Sequence, residues 1–449
     1  MKKSAFFICV LISTFFFDST NGQQKDDPPL NIICILADDL GYGDLSCMGA
    51  TDMRTPNIDQ LAGKGLTFTQ FYANSTVCSP SRAALLSGKY PDLAGVPGVI
   101  RQDSTSSWGY LRPKLPLIPN ILKEKGYHSA IIGKWHLGIS SPNTPNERGF
   151  DYYKGFLGDM MDDYYTHLRK GENWMRLNDS TINSVGHATD LFTDWTIDYL
   201  EKHRLNTQPF FLYLAYNAPH FPIQPPDEFL KAVKSREDEI SAKRAKNVAL
   251  IEHLDFNVGR ILNYLKTSGL EDNTLVIFTS DNGGALRYEQ NNGELRGGKG
   301  DMYEGGLRVP TFFYWKDKIM PGTRTDNFVM LMDILPTLCE ILEIKTPPSL
   351  DGISFLPTLM GKEQNTADRY SFWMRREGGK YHGLAYHAAR YGPHKLVQNT
   401  PFEPFQYFDL SKDPWEQNPI RKIDSIGLNK KLQEHIRQSG KIPWQPVIK

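Results

Sequence analysis

The feature that most constrains the fold is a short apolar run that ends in two acids. Residues 32–37 are all apolar, and Asp38 and Asp39 follow them directly. A run that is apolar at every position, and not only at alternate ones, is typical of a strand buried on both faces of a sheet. Three later segments repeat this pattern of an apolar run followed by His, Lys, Asp or Asn: 127–133, 210–216 and 274–280. The chain is therefore expected to form a central sheet with polar residues at its carboxyl edge.

Helical patterns separate these predicted strands. We predict helices at 55–64, 81–86, 118–125, 188–203, 242–267 and 327–342. Strands that alternate with helices indicate an α/β domain, with a large, mostly parallel sheet between layers of helices. Ligands of such sheets bind beyond the carboxyl ends of the strands, which is where the polar residues fall.

The pattern changes after residue 342. A Pro-containing stretch and the polar segment 361–368 interrupt it, and short strands are predicted afterwards at 370–375, 383–390, 394–398 and 405–410, with a helix at 429–439. We predict a large N-terminal domain at 23–362 and a smaller C-terminal α+β domain, an antiparallel sheet plus a helix, at 363–449.

The N-terminus has the pattern of a secretory signal peptide. Two lysines precede the apolar run 5–17, and small and polar residues follow it up to Gly22. We expect cleavage after residue 22 and export to the periplasm or the exterior, with a bacterial host suggested by the lysine-led start. No later stretch approaches the ~18 consecutive apolar residues of a membrane span, so none is expected.

Charge and cysteine usage exclude two further classes of protein. Basic and acidic residues balance at 51 each, so the chain lacks the overall field that attracts nucleic acid, and no nucleic-acid partner is expected. Only Cys34, Cys47, Cys78 and Cys339 remain after residue 22, which is not a disulfide framework. Cys34 and Cys339 lie in apolar runs, whereas Cys78 lies in a polar, turn-like context.

Cys78 opens the most specific motif of the chain. The segment Cys78-Ser79-Pro80-Ser81-Arg82, followed by Leu86-Ser87-Gly88, resembles the signature of the formylglycine-dependent sulfatases, which belong to the alkaline phosphatase superfamily. Ser87 stands where threonine is more usual. The resemblance continues in order over nearly the whole mature chain, in the segments Ile35-Leu36-Ala37-Asp38-Asp39, Gly133-Lys134-Trp135-His136, Pro219-His220, Ser280-Asp281-Asn282-Gly283 and Arg296-Gly297-Gly298-Lys299.

The resemblance implies an alkaline-phosphatase-like fold and a modified nucleophile. A sulfatase-maturating enzyme would oxidise Cys78 to formylglycine, whose aldehyde hydrates to a geminal diol. One hydroxyl then attacks sulfur, and loss of the proton from the other expels sulfate and restores the aldehyde. A serine at this position would stay sulfated because it has no second hydroxyl.

Two acidic pairs at strand ends suggest a metal site. Asp38, Asp39, Asp281 and Asn282 supply oxygen donors without imidazole or thiolate, a set that suits Ca²⁺, with Mg²⁺ as the alternative, better than zinc. Strand-end capping alone explains the first pair, but the second pair favours a metal. We expect one Ca²⁺ ion, with the converted Cys78 as a fifth ligand.

Five further residues are assigned to catalysis. Arg82 lies one helical turn after Cys78 and is expected on the same face. The resemblance implies that Lys134 binds the nucleophile and the sulfate, and that His136 accepts the proton that drives sulfate elimination. It also implies that His220 and Lys299 bind sulfate, and that His220 protonates the departing sugar oxygen.

The sequence says less about the substrate than about the catalytic residues. Aromatic residues, acids and arginines around 159–169 could stack on and hydrogen-bond a sugar, although a solvated loop explains the same pattern. Together with the similar-looking segment 150–153, they resemble sulfatases that act on sulfated galactose or N-acetylgalactosamine, so we expect a sulfated mono-, oligo- or polysaccharide. The residues assigned to substrate binding are Asp159, Asp162, Asp163, His167, Arg169 and Arg287.

Two other functions compete with a carbohydrate sulfatase. A phosphatase or phosphonate monoester hydrolase of the same superfamily would carry more metal-binding histidines. A non-catalytic binder of sulfated glycans would be expected to lack one of the six catalytic residues, and all six are present.

Overall fold

The computed structural model describes residues 29–445 except 238, 378–383 and 421–425, so the predicted signal peptide lies outside the described residues. A ten-stranded sheet forms the centre of the molecule. Its strands, from one edge to the other, are Thr323–Thr325, Leu66–Phe68, Thr311–Trp315, Thr274–Ser280, Asn31–Ala37, Phe210–Ala215, His128–Lys134, Tyr152–Phe156, Met175–Leu177 and Ser180–Thr181.

The five central strands of this sheet run parallel, from Thr274–Ser280 across to Tyr152–Phe156. In the middle strand, Ile32, Cys34 and Leu36 pack into the core on one face, and Ile33, Ile35 and Ala37 pack into the core on the other. Burial on both faces is the physical reason for the uninterrupted apolar run. The predicted mixed, mostly parallel α/β fold is confirmed.

Helices cover both faces of the sheet, and those predicted at 55–64, 188–203, 242–267 and 429–439 have observed bounds within one residue of the prediction. The described helices are Pro56–Lys64, Cys78–Ser87, Ile118–Leu122, Ala188–His203, Asp227–Lys234, Ala242–Ser268, Glu304–Leu307, Ile334–Ile341, Leu356–Leu359 and Leu428–Ser439.

The helix predicted at 327–342 is wrong in its first half. Val329–Met330 instead forms a short parallel pair with Phe71–Tyr72, and the helix begins only at Ile334. The Asp333 side chain accepts a hydrogen bond of 2.8 Å from the backbone N–H of Met330, which favours the break before the helix. Pairing with a distant strand decides the structure here, and it leaves no local pattern in the sequence.

A four-stranded antiparallel sheet follows near the C-terminus, as predicted. Its strands are Ser371–Arg376, Ala385–Tyr391, His394–Gln398 and Gln406–Asp409, and Leu428–Ser439 packs on it. The domain boundary at residues 362 and 363 stays a prediction. Among the described residues, the cysteines form no disulfide, and no helix is both long and apolar enough to cross a bilayer.

A buried ion cluster joins this small sheet to the main body. Lys395 Nζ lies 2.8 Å from Glu304 Oε1 and 2.9 Å from Glu416 Oε1, and all three side chains are buried. Tyr72 Oη donates to Glu304 Oε2 at 2.5 Å. Although burial opposes its charge, Lys395 lowers the pKa of Glu304 to about 2, whereas burial raises the pKa of Glu416 to about 7. Lys395 therefore neutralises the charge of Glu304, the first residue of the helix Glu304–Leu307, which follows the loop of Lys299.

We predict that Lys395→Met lowers the free energy of unfolding by about 3–5 kcal/mol, because it leaves the buried Glu416 without its cation and Glu304 with only the more distant Arg308, 3.7 Å away. Lys412→Met is the matched control, since Lys412 is 83% exposed and pairs with Asp409 at the surface. The control should change stability by less than about 0.5 kcal/mol. Chemical denaturation of both variants measures the difference. Equal stability of the two variants would contradict the structural role of Lys395.

Candidate active site

The candidate site lies at the carboxyl edge of the central parallel strands. Strand Asn31–Ala37 pairs with Thr274–Ser280 so that Ala37 lies opposite Ser280. The acidic pairs that follow the two strands are therefore neighbours. Asp39 N–H donates to Asp281 Oδ1 at 3.2 Å, and Asn282 Nδ2 donates to Asp39 Oδ1 at 2.8 Å.

Cys78 lies directly against these acids. Its Sγ is 3.2 Å from Asp38 Oδ1, 3.9 Å from Asp39 Oδ1 and 3.6 Å from Lys299 Nζ. The helix predicted at 81–86 begins three residues earlier, at Cys78 itself, and the Cys78 side chain is buried. Pro80 is tolerated there because the first-turn N–H groups of a helix have no intrahelical partner.

Three cations surround the carboxylates. Arg82 holds Asp281 Oδ2 with Nε at 2.9 Å and Nη2 at 2.8 Å, as expected from its place one turn after Cys78. Lys134 Nζ lies 2.5 Å from Asp38 Oδ2, and Lys299 Nζ lies 2.7 Å from Asp39 Oδ2. Arg82 and Lys134 are fully buried, so their charges depend on the carboxylates that they contact.

Two histidines complete this cluster. His136 Nε2 lies 2.9 Å from the carbonyl oxygen of Ile100, and its Nδ1 is buried with no hydrogen-bond partner among the described residues. His220 Nδ1 lies 2.5 Å from the carbonyl oxygen of Phe221, and its Nε2 is 3.7 Å from Asp39 Oδ2. Burial, reinforced by nearby lysines, lowers the pKa of His136 well below its usual value and that of His220 to about 4.

The donor set fits a hard divalent cation. Donor atoms of Asp38, Asp39, Cys78 and His220 lie within 4.8 Å of one another. Asn282 Oδ1 is buried without a hydrogen-bond partner among the described residues, as expected of an oxygen that would coordinate a cation. Burial and the charge of Asp38 raise the pKa of Asp281 to about 7, a cost that a bound cation would relieve.

A cavity of about 430 Å³ opens above this cluster, and Cys78, His136, His220 and Lys299 line it. Of the residues assigned to substrate, Asp159, Arg169 and Arg287 also line the cavity, whereas the other three are not among its lining residues. Asp162 Oδ1 binds Arg169 at 2.7 Å, Asp163 Oδ2 accepts from Gln224 at 2.7 Å, and His167 Nε2 lies 2.9 Å from the Gly186 carbonyl oxygen.

Sequence reasoning missed several residues of the cavity wall. Phe221 lies at its rim and stacks on Tyr288 with ring centroids 4.7 Å apart, and its place next to His220 could have drawn attention to it. Arg101 and Arg375 also line the cavity, but they lie in segments with no motif. Only the folded chain brings them to the site.

The chain matches known proteins over most of its length. A family model described as Sulfatase matches residues 30–344, and a second, described as N-sulphoglucosamine sulphohydrolase, C-terminal, matches residues 298–441. N-acetylgalactosamine-6-sulfatase of Mus musculus is 30% identical, over 94% of this chain and 88% of that protein.

Solved structures show the same likeness. Ps i-CgsB in complex with k-i-k-neocarrahexaose superposes with a TM-score of 0.83 at 31% identity, over 92% of this chain and 94% of that one. The phosphonate monoester hydrolase of Agrobacterium radiobacter superposes with a TM-score of 0.68 at 22% identity and shares the fold.

We predict that Ca²⁺ raises the melting temperature of the chelator-treated protein, because binding to the folded state alone stabilises by about 2.7 kcal/mol at 100 times Kd. Asp39→Asn should remove most of this shift by taking away one charged ligand. Asp194→Asn is the control, since Asp194 pairs with Arg260 at the surface, and should keep the full shift. If the melting temperature of the wild-type protein changes with neither Ca²⁺ nor Mg²⁺, the metal site is contradicted.

Proposed function

Because the chain belongs to the sulfatase family of sulfuric ester hydrolases, we propose that it removes sulfate from a sulfated carbohydrate of the galactose or N-acetylgalactosamine type, with Cys78 converted to formylglycine. The observation that carries this proposal is the convergence of Cys78 with three cations, two of them fully buried, and two histidines around one set of carboxylates. Together with the carboxylates, these groups come from six separate segments of the sequence.

The cations suit the charge that develops during sulfate transfer. Negative charge accumulates on the transferring sulfate and on the departing alkoxide, and preorganised cations in a buried site stabilise it strongly. Lys134 and Lys299 contact the carboxylates beside Cys78, so their ammonium groups lie next to the position where sulfur would be attacked. Arg82 reaches the same carboxylates from the helix that carries the nucleophile.

The histidines supply proton transfer. The Ile100 carbonyl oxygen accepts from His136 Nε2 and so leaves Nδ1 unprotonated, as a base requires. We assign to His136 the proton whose loss expels sulfate. We assign to His220 the protonation of the departing sugar oxygen, a role that requires the charged ring, which the negative charge of a bound sulfate would favour. Lys299 lies beside His220 on the cavity wall. Although burial opposes the charge of Lys299, Asp39 raises its pKa, so the ammonium group of Lys299 keeps its proton.

Two groups would complete the site. We propose that Asp38, Asp39, Asp281 and Asn282, with the converted Cys78, hold one Ca²⁺ ion, with Mg²⁺ as the alternative. Family members use calcium and formylglycine. Bound calcium would supply positive charge against the nucleophile and the sulfate oxygens, and the hydrated aldehyde would supply one hydroxyl for attack and a second for release.

The substrate class rests on the relatives and on the cavity. One relative is an N-acetylgalactosamine-6-sulfatase, and one structural neighbour was solved in complex with a neocarrahexaose. Phe221, 40% exposed at the rim, offers an aromatic face on which a sugar ring can stack. Arg169 and Arg287 add hydrogen-bond donors on the wall.

The competing functions fit the site less well. Oxygen donors outnumber nitrogen donors around Asp38, which disfavours the two-metal site of a phosphatase. A glycan binder without activity would have no need for a base with a free nitrogen beside a buried nucleophile. We also propose export to the periplasm or the exterior and maturation by a sulfatase-maturating enzyme, both on the sequence patterns.

We predict that Cys78→Ala abolishes turnover while the fold and the larger part of the Ca²⁺-induced stabilisation persist, because the side chain carries the nucleophile and the four oxygen-donor residues of the metal site remain. Cys47→Ala is the matched control, since Cys47 is a half-buried cysteine outside the cavity, and should keep its activity. Sulfate release and melting temperature are measured together. Turnover by the Cys78→Ala protein would refute the proposed nucleophile.

Mass spectrometry of the tryptic peptide that contains Cys78 tests the modification itself. Protein produced with its own maturation enzyme should show the loss of hydrogen sulfide and the gain of one oxygen. The same preparation should release sulfate from sulfated galactose or N-acetylgalactosamine saccharides. Modified protein that releases no sulfate from any saccharide of the panel would contradict the proposed substrate class.

A further inference from the structure

The wall of the cavity is more cationic than sulfate alone requires. Six of its lining residues are basic and three are carboxylates, Asp103, Asp159 and Asp301. Lys299 is engaged with Asp39, and Arg169 with Asp159 and Asp162. The basic residues are Arg101, Arg169, Lys170, Arg287, Lys299 and Arg375.

Two of these arginines share one buried anchor. Glu377 is fully buried, and its Oε2 accepts from Arg101 Nη1 at 3.0 Å while its Oε1 accepts from Arg375 Nε at 3.3 Å. Arg101 comes from a loop of the main body, and Arg375 comes from strand Ser371–Arg376 of the small sheet. Glu377 thus holds both guanidinium groups, with the carbonyl oxygen of Ser106 as a further acceptor for Arg101 Nη1 at 2.7 Å, and one carboxylate between two arginines leaves a net positive charge.

Arg375 also contacts the loop that carries Lys299, the lysine assigned to sulfate binding. Its Nη1 donates at 3.0 Å to the carbonyl oxygen of Gly300, the residue after Lys299. Gly300 has a φ of 100°, and a Cβ there would stand 3.0 Å from Arg375 Nη1. The arginine is thus packed against the same loop that carries Lys299 and is held in place, not extended into solvent.

The burial of Arg101 and Arg375 indicates that this pair binds a ligand. The side chains of Arg101 and Arg375 are only 12% and 13% exposed, and both line the cavity. Holding two arginines in this largely buried wall costs desolvation energy that an anion at the wall would offset. Guanidinium groups bind carboxylate and sulfate oxygens through paired N–H donors, which makes them selective for such anions.

We propose that Arg101 and Arg375, oriented by Glu377, bind a second anionic group of the substrate, a sulfate ester or a carboxylate on the same or the neighbouring sugar. This inference rests on the proposed function and narrows it to polyanionic saccharides. Arg101 and Arg375 contact the substrate, and Glu377 is a positioning residue that acts through them.

The test compares three disaccharides that carry the same hydrolysed sulfate. In one the second sugar is neutral, in one it bears a second sulfate, and in one it bears a carboxylate. Wild-type enzyme should prefer at least one of the anionic disaccharides over the neutral one by about 10- to 100-fold in kcat/KM, the effect of one charge-assisted hydrogen bond. The preferred anion identifies the group that the arginines recognise.

Arg375→Gln should remove most of this preference, mainly through a higher KM for the anionic disaccharide, and Arg101→Gln provides a second variant if the first does not fold. Glu377→Gln should lower the preference as well, because the guanidinium groups lose their orientation. Arg376→Gln is the matched control, since Arg376 is the next residue of the same strand and does not line the cavity. It should keep the wild-type preference, and melting temperatures report the folding of all variants.

The outcomes separate this inference from the proposed function. A wild-type enzyme that hydrolyses all three disaccharides equally well overturns the second anion site but leaves the sulfatase assignment intact. The same holds if both arginine variants fold and retain the preference. If formylglycine is present and none of the three disaccharides releases sulfate, the proposed substrate class fails, and this inference fails with it.

Discussion

The structure depends on one buried set of opposite charges at the carboxyl edge of the sheet. Asp38, Asp39 and Asp281 could not remain ionised in this position alone, and neither Arg82 nor Lys134 could be fully buried without them. Each charge is tolerable only because its partners are in place. The same mutual dependence places the Cys78 side chain among the carboxylates, cations and histidines of the proposed site.

The surrounding fold holds these charged side chains next to one another. Parallel strands end at one edge, so the acids after Asn31–Ala37 and Thr274–Ser280 become neighbours, and Lys134 ends a strand of the same sheet. The helix that begins at Cys78 then brings Arg82 back over the acids. The small C-terminal sheet contributes from the other side, since Lys395 anchors the element after the Lys299 loop and Glu377 orients Arg375. The site is therefore a product of both sheets.

Much of this arrangement could be predicted from the sequence. Strands 31–37 and 274–280 and helix 188–203 have the observed bounds, because burial on two faces or a regular helical period leaves a strong local pattern. The predicted helix at 327–342 failed where Val329–Met330 pairs with a distant strand. The helix predicted at 81–86 begins at Cys78 instead, because a polar first helical turn looks like a loop until the rest of the fold buries it.

The sequence by itself determined the α/β architecture, the motifs around Cys78 and the residues that meet there, because these depend on strand periodicity and on short ordered segments. Only the tertiary structure decided what encloses the site. Phe221 stacks on Tyr288, Arg101 and Arg375 meet on Glu377, and Asp162, Asp163 and His167 turn to other partners. The physical reason is that the wall of a cavity is made by long-range contacts between loops and a second sheet, which impose no period and no spacing on the chain.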